Sequence, residues 1–452
     1  MIKIYCPSNN IPERRYSIEM LFNNLMGCDL SEESIFFVDD VEDYIIELSE
    51  KRLVIEDHFF SIYPNPLSYL KESSLPKELT FLHAKEHKIP IIYGVDKYVE
   101  TEDNITIGLD FFASTFFMLT RWEESIYGRD EKGDCNEDLL FGVVHGIYKR
   151  PVINEYEFLL RGILSRWGVK MKEREYKVVM THDVDGLITP TWSEIIRGYL
   201  FQIKTGYKQR ITWQQKAAYK MVFPNAYSQI AVYVKLCEQY NIPEWFFFKV
   251  CAPKEKEATY SYNDMRVKDV VERLKSLNNN HHILLGFHPS QSTIDNYEQW
   301  KLESHRIKEL LGGEPSVGRN HHLLYNPQML RWWEESFSSE GCFDISNCVF
   351  HRHQGFRSGM VVEYPIFDYY ERRQMHLVEH PNPIMDTAIR LSSKNKNNEQ
   401  IDLELKDIIA KMKRYKGVLL LTWHIYLREK KIIIDYIKQA KKIVPFAATS
   451  SR

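Results

Sequence analysis

The sequence predicts an α/β protein in which a smaller mixed α/β domain precedes a distorted (β/α) barrel. Its length of 452 residues exceeds what one hydrophobic core usually organises, so we expect two domains. In the second part of the chain, short apolar runs alternate with amphipathic helices, which is typical of parallel βα units. Several of these runs end in acids or imidazoles, as strands do at the active edge of an α/β barrel. We predict domains at residues 1–170 and 172–452.

The composition limits the partners of the protein. A hydrophobic fraction of 44% and a charged fraction of 27% are those of an ordinary soluble globular protein. The formal net charge of -3 lacks the basic excess of nucleic-acid-binding proteins, so we expect no nucleic acid as partner. The seven cysteines are scattered without a CxxC pair, which predicts reduced thiols. We find no signal segment and no apolar run long enough to span a bilayer, and therefore expect a cytoplasmic protein.

The first domain is predicted to combine short strands with two longer helices. Strands are expected at residues 2–6, 34–38 and 91–93, and amphipathic helices at residues 110–125 and 151–167. Asp110 can cap the first of these helices, whose aromatic face we assign to the domain core or to packing between domains. The charged residues 170–175 then form the linker to the second domain.

A buried strand beginning at residues 178–180 leads to two acids, Asp183 and Asp185. They are two residues apart, so in an extended chain both side chains lie on the same side. Such close carboxylates repel each other, which favours a cation between them or a proton on one of them. The alternative is that they cap a helix or form a turn. Two further apolar runs lead to His288 and His424, and this repetition favours a functional site.

Residues 192–222 mix aromatic side chains such as Tyr199 and Trp213 with basic ones such as Arg197 and Lys204. Such a segment could rest on a membrane surface or hold an anionic, lipid-linked substrate. The alternative is an outer helix with a solvated face. After it, a strand at residues 245–250 and helices at residues 267–276 and 296–311 continue the alternation of strand and helix.

The polar motifs occur in the order of the five motifs of a known family. These are residues 181–185, residues 288–292, Arg319, Asp344 and residues 421–424. In this respect the chain resembles the polysaccharide deacetylases, the NodB-homology carbohydrate esterases, over roughly residues 172–446. Residues 110–124 resemble the N-terminal companion domain of unknown function that occurs on a bacterial branch of that family.

The resemblance implies a base and a metal site. Asp183 would be the general base, and Asp185 and His288 would bind a divalent metal, with zinc as the expected ion. The family usually has the metal-binding Asp at the position of Val184, and some relatives share the spacing found here. Ser292 stands at the last position of the second motif, where it would complete the metal site by holding a metal-bound water.

The remaining motifs imply the partners of this base and metal. Arg319 would pair with the base, His424 would be the general acid, and Asp344 would orient that histidine. We expect Arg357 and Trp423 to contact the substrate, although a loop salt bridge explains Arg357 as well. Further imidazoles lie near the motifs, and for each we favour a structural hydrogen bond over a ligand role: His182, His281, His321 and His322.

Three functions remain open from the sequence. The first is a metal-dependent hydrolase that removes N-acetyl or O-acetyl groups from a sugar or glycan intermediate. The second is a hydrolase of another non-peptide C–N bond. The third is a degenerate carbohydrate-binding protein, which Val184 and Ser292 favour. The joint presence of five motif residues argues against it, because binding alone needs neither a base nor an acid; these are Asp183, Asp185, His288, Arg319 and His424. The oligomeric state is not predicted.

Overall fold

The computed structural model describes residues 2–129, 135–187, 189–206, 212–251, 260–277, 282–323, 326–339, 341–392 and 396–425. Contacts divide the chain into two compact units. The first comprises Met1–Lys177 and His322–Leu420, and the second comprises Val178–His321 and Leu421–Arg452. The division after Lys177 lies near the expected linker at residues 170–175. The grouping of residues 322–420 with the first unit was not predicted, and the domain bounds at 170 and 172 stay a prediction.

Along the described chain, the helices and strands occur in the following order. Before the linker they are β1 Lys3–Pro7, α1 Ile11–Glu19, β2 Ile35–Val38, β3 Tyr44–Leu48, β4 Lys51–Ile55, β5 Thr80–Ala84, β6 His87–Ile91, β7 Gly94–Glu100, β8 Asn104–Leu109, α2 Phe111–Thr120, α3 Glu123–Tyr127, α4 Phe141–Val144 and α5 Val152–Arg166. Next come β9 Lys177–Val184, α6 Trp192–Thr205, α7 Trp213–Val222, α8 Tyr227–Tyr240, β10 Glu244–Phe248, α9 Met265–Leu277, β11 Ile283–Phe287, α10 Tyr297–Leu311 and β12 Val317–Gly318. The last are α11 Pro327–Phe337, β13 Phe343–Ile345, β14 Tyr364–Asp368, β15 Arg373–Glu379, β16 Ile384–Met385, α12 Asp386–Ser392, α13 Asn398–Arg414 and β17 Val418–Thr422.

The first unit contains a mixed six-stranded sheet in the order β2-β1-β3-β4-β8-β7. Helix α2 follows it, and Asp110 caps this helix by accepting a hydrogen bond from the Ala113 amide at 2.9 Å, which confirms the predicted cap. Every residue of α2 is buried, so its aromatic side chains belong to a core. The helix is shorter than predicted because Arg121 adopts a left-handed conformation with φ of 53°, and α3 starts a new helix.

Long-range contacts hold the returning segment of the first unit to its N-terminal part. Arg372 forms an ion pair with Glu13 at 2.7 Å, and the Tyr16 hydroxyl donates to the Pro365 carbonyl at 2.7 Å. The Val361 amide donates to the Asn154 side chain at 3.0 Å. Glu13 and Asn154 are fully buried, so these polar contacts satisfy groups that would otherwise be costly to bury.

The second unit is built on parallel strands in the order β12-β11-β10-β9, with β17 next to β9. All five residues of β10 are buried, as expected for a strand covered on both faces. Gly286 of β11 is required by packing, because a Cβ there would lie 2.6 Å from the Val317 carbonyl oxygen. The α/β class is therefore confirmed, and the parallel strands place their carboxyl ends at one edge.

The predicted closure into a barrel is not seen. Among the described residues of the second unit, the strand order is linear and β12 does not pair with β17. The parallel strands therefore form an open sheet rather than a closed barrel. Of the helices in the described part of the chain, none combines the length and the apolar character that crossing a bilayer requires.

Candidate active site at the carboxyl end of the parallel strands

Asp183 and Arg319 form a buried ion pair at the carboxyl ends of β9 and β12. The guanidinium Nη1 donates to Asp183 Oδ1 at 2.9 Å, and the guanidinium carbon lies 4.5 Å from the centre of the Phe247 ring. Burial alone would raise the pKa of Asp183. The positive charge of Arg319 is the largest opposing effect, and together with smaller contributions from His288 and His424 it holds this pKa well below its usual range. The Asp183 side chain is therefore an ionised carboxylate.

Asp185 contacts a buried cation that the motifs did not indicate. Lys249 follows β10 directly, its side chain is fully buried, and its Nζ lies 3.1 Å from Asp185 Oδ1. The Tyr260 hydroxyl accepts from the Lys249 amide at 2.9 Å and donates to the Val184 carbonyl at 2.8 Å, which ties the ends of the two strands together. Burial would raise the pKa of Asp185, and Lys249 and then His288 lower it below the ordinary value.

His288 presents one nitrogen to Asp185 and uses the other for a backbone hydrogen bond. Its Nδ1 lies 2.6 Å from the Arg319 carbonyl oxygen. Because a carbonyl only accepts, Nδ1 carries the proton and Nε2 carries a lone pair. This Nε2 lies 3.7 Å from Asp185 Oδ1. Burial lowers the pKa of His288 to about 3, so the ring is neutral, as a metal ligand must be.

Asp185, His288 and His321 could together bind a metal ion. One ligand atom from each lies within 4.8 Å of the others, and the rings of His288 and His321 are 5.3 Å apart. One carboxylate oxygen and two imidazole nitrogens match the donor set of catalytic zinc sites and of non-haem iron sites. The sequence favours a structural role for His321, whereas its position in this cluster also allows a ligand role, which stays a proposal.

Ser292, the third expected member of the metal site, is engaged in a different contact. Its hydroxyl lies 2.7 Å from the Ser290 hydroxyl, which in turn donates to the buried carboxylate of Glu303. The Ser290 amide also donates to Glu303, at 2.9 Å. The loop after β11 is therefore fixed by hydroxyl and carboxylate contacts, and a role of Ser292 towards a metal-bound water stays a prediction.

His424 lies close to both acids of the opening motif. Its Nε2 is 3.7 Å from Asp183 Oδ2 and 3.8 Å from Asp185 Oδ2. The side chain is 14% exposed, whereas Asp183 is 5% exposed, so His424 is the more accessible of the two. An imidazole at this position can exchange a proton with a bound molecule while the carboxylate stays buried.

Trp423 and His182 have structural contacts. Trp423 is buried, its amide donates to the Thr181 carbonyl at 2.8 Å, and its carbonyl accepts from His182 Nδ1 at 2.9 Å. A substrate contact of the Trp423 ring stays a prediction, while the structural role expected for His182 agrees with this bond. His322 belongs to the first unit, and His281 lies outside the described residues.

Asp344 and Arg357 belong to the first unit, where each has an ionic partner. Asp344 Oδ1 lies 2.9 Å from His380 Nε2, and its expected action on His424 stays a prediction. Arg357 is buried, and its Nε donates to Glu124 Oε1 at 3.1 Å. The salt-bridge interpretation of Arg357 is therefore the one that its contacts support, rather than binding of a sugar carboxylate.

Sequence reasoning missed Lys249 and the proximity of His321 to Asp185 and His288, although both had a signal. Lys249 ends an apolar run, residues 245–248, in the same way that Asp183 ends the run of β9. His321 lies two residues after Arg319, on the segment that follows β12. The strand-end rule that selected the acids would also have selected the lysine, because parallel strands bring all these ends to one edge.

Comparison with known proteins gives a match for the N-terminal part. The model of a family of unknown function, DUF7033, matches residues 2–168. These residues lie within the expected first domain, and the match is consistent with a companion domain there. No curated protein matches the chain.

Comparison with solved structures finds similarity to a probable polysaccharide deacetylase and to an allantoinase. A probable polysaccharide deacetylase from Pseudomonas aeruginosa is 13% identical, with 60% of this chain and 86% of that chain covered and a TM-score of 0.35. Puue allantoinase is 13% identical, with 60% of this chain and 85% of that chain covered and a TM-score of 0.37. Likeness at this level establishes neither an activity nor a substrate.

Proposed function

We propose that the second unit carries the active site of a metal-dependent hydrolase, which removes an N-acetyl or O-acetyl group from a sugar or glycan intermediate. The observation that carries the proposal is that the three metal-capable residues adjoin a buried, ionised carboxylate and an accessible imidazole. Asp185 is one of the three metal-capable residues, and its Oδ2 lies 3.8 Å from His424 Nε2. The same His424 Nε2 lies 3.7 Å from Asp183 Oδ2. Acyl transfer to water needs these groups together.

Each protein group has a definite task in this reaction. Asp183 takes the proton of the attacking water, and Arg319 keeps it ionised for that purpose. His424 gives a proton to the departing nitrogen or oxygen. Asp185, His288 and His321 would hold the metal, and a divalent metal bound there lowers the pKa of a water and polarises the acyl carbonyl. The two imidazole ligands favour zinc.

The hydrogen bond of His288 supports this assignment. The Arg319 carbonyl fixes the ring in the tautomer whose Nε2 faces Asp185, so the same residue orients a metal ligand through its backbone and the base through its side chain. A substitution that shifts the Arg319 backbone would disturb both functions. The match of residues 2–168 to a separate family supports our further proposal that residues 1–170 form a companion domain.

A binding function without turnover is the second candidate, and Lys249 is the observation that favours it. The ammonium group 3.1 Å from Asp185 already supplies a positive charge to the carboxylate that would bind the metal. A site balanced in this way could hold a polar carbohydrate without a metal. Hydrolysis of another non-peptide C–N bond uses the same groups as deacetylation, so only the substrate distinguishes it.

Metal analysis combined with acetate release tests the proposal. The purified full-length protein should contain zinc or bind it after dialysis, and it should release acetate from N-acetylhexosamine derivatives. Treatment with a chelator should abolish the release, and added zinc should restore it. If the protein binds no metal, and binds a carbohydrate without converting it, the result would instead support the binding protein. Ammonia or urea release from amide substrates without acetate release would indicate another C–N bond.

A further inference from the structure

Helix α6 exposes an apolar stripe to solvent. Its five members are each between 43% and 63% exposed, and they are Trp192, Ile196, Tyr199, Leu200 and Ile203. At roughly 100° per residue, these positions fall within an arc of about 100° on one side of the helix. We call this stripe the α6 face. Soluble proteins rarely expose so many large apolar side chains in one contiguous patch, so the patch indicates an interaction surface.

The helix is well formed although little of it is buried. Thr191 caps its start in a capping box with Glu194, and Gly206 ends it with φ of 65°. Ile195 is the buried residue that attaches α6 to its unit, and the Tyr199 ring packs edge-on against Trp213 of α7 at 5.0 Å. Capping, the burial of Ile195 and the ring contact with Trp213 therefore all support a helix whose apolar stripe is exposed.

Basic side chains border the α6 face. Arg197 and Lys204 are exposed, and at roughly 100° per residue both lie next to the same edge of the stripe. Glu194 lies on the far side of the helix by the same geometry. Over residues 192–222 the sequence has six basic residues, Arg197, Lys204, Lys208, Arg210, Lys216 and Lys220, against the single acid Glu194, in a chain whose net charge is -3.

We propose that the α6 face docks onto the surface of a membrane that contains anionic lipids. An apolar stripe bordered by Lys and Arg is the pattern of helices that lie in the plane of a bilayer, where the basic groups reach lipid phosphates. Trp192 and Tyr199 suit the headgroup region because their rings are amphipathic. The inference goes beyond the proposed hydrolysis and does not depend on it.

A second copy of the chain is a poorer occupant of this surface. In a two-fold symmetric dimer with antiparallel α6 helices, the α6 face would meet itself, and the edge with Arg197 and Lys204 would face the same edge of the partner. Like charges at such an interface repel each other and would need acids to compensate them. Glu194, the one acid of residues 192–222, lies on the opposite side of α6, so charge complementarity favours an anionic surface.

Sedimentation with vesicles tests the proposal. Full-length protein should pellet with vesicles of phosphatidylcholine containing about a third phosphatidylglycerol, and far less with pure phosphatidylcholine, and high salt should weaken binding. Leu200→Glu should lower the partition coefficient by at least roughly tenfold. Arg197→Gln and Lys204→Gln should each lower it by about fivefold. Met265→Glu, at an exposed apolar position on α9, is the matched control and should bind as wild type does.

Two results would overturn the proposal. One is the absence of pelleting with anionic vesicles when circular dichroism shows a folded protein. The other is a dimer in analytical ultracentrifugation that Leu200→Glu dissociates, because the α6 face would then be a contact between copies. These substitutions lie at exposed positions, so loss of folding is not expected, and unchanged thermal unfolding would verify it.

Discussion

Replacing Lys249 by methionine should tighten metal binding. The Lys249 ammonium lies 3.1 Å from Asp185 Oδ1, and at an effective dielectric constant of about 20 their attraction is about 5 kcal/mol. A divalent cation that takes Asp185 as ligand competes with this attraction. The flexible lysine side chain can move away from Asp185 when the metal binds. We therefore expect only part of that energy to appear as a gain in zinc affinity. A gain of about 1.4 to 4 kcal/mol corresponds to a Kd lower by roughly 10- to 1000-fold.

Calorimetric titration of zinc into chelator-treated protein measures this change. Methionine preserves much of the apolar length of the lysine, and Lys235→Met on α8, at an exposed position, is the matched control. Without zinc, Lys249→Met should unfold at lower temperature than wild type, because Asp185 loses its nearest cation. Zinc should then raise its Tm more than that of wild type. An equal or weaker zinc affinity in Lys249→Met would refute the reasoning that the lysine opposes the metal.

Further predictions concern the proposed base and acid, the ion pair of Arg319 with Asp183, and the buried carboxyl of Glu123. Asp183→Asn and His424→Ala should each lower kcat by about 10²- to 10⁴-fold while calorimetric zinc binding persists; near wild-type turnover on a confirmed substrate would reject the roles. Arg319→Met should lower the free energy of unfolding in urea by about 3–5 kcal/mol at neutral pH, because Asp183 stays buried without its partner. The low pKa of Asp183 means that this contribution is full above about pH 4 and is lost as the pH falls further, so equal stabilities of both proteins at neutral pH would contradict it. Burial raises the pKa of Glu123 to about 8. The contribution of its protonated carboxyl to the free energy of unfolding is therefore full below about pH 4.5 and is lost as the pH rises to 8. Glu123→Gln should therefore be more stable than wild type by a few kcal/mol at pH 8, and an unchanged pH dependence of unfolding would count against the shift.

The strand-end pattern predicted the core of the candidate site. Each of Asp183, Asp185, His288 and His424 follows a short apolar run, and parallel strands bring such ends to one edge whatever the helices between them do. The structure brings them together, with 3.7 Å between His288 Nε2 and Asp185 Oδ1. This part of the site depends on strand register, which local patterns determine well.

Other features depend on contacts that no local pattern contains. The grouping of residues 322–420 with the first unit rests on pairs such as Arg372 with Glu13, which are distant in sequence. The break between α2 and α3 lies inside a continuous apolar periodicity and appears only in the positive φ of Arg121. Arg357 illustrates the same limit, because its partner Glu124 lies far back in the sequence, so the sequence left both a substrate contact and a salt bridge open.

Lys249 also bears on which of the proposed functions is correct. The charges of the Asp183, Asp185, Arg319 and Lys249 side chains sum to zero, and His288 is neutral because burial lowers its pKa to about 3. A divalent ion would therefore enter a cluster that is already balanced, and must gain its affinity from ligand bonds to Asp185, His288 and His321. If zinc binds the wild type despite Lys249, those bonds outweigh the repulsion, and the lysine limits affinity in an active hydrolase. If zinc binds only after Lys249→Met, the lysine itself has taken the place of the metal charge, and the binding protein becomes the better description of this chain.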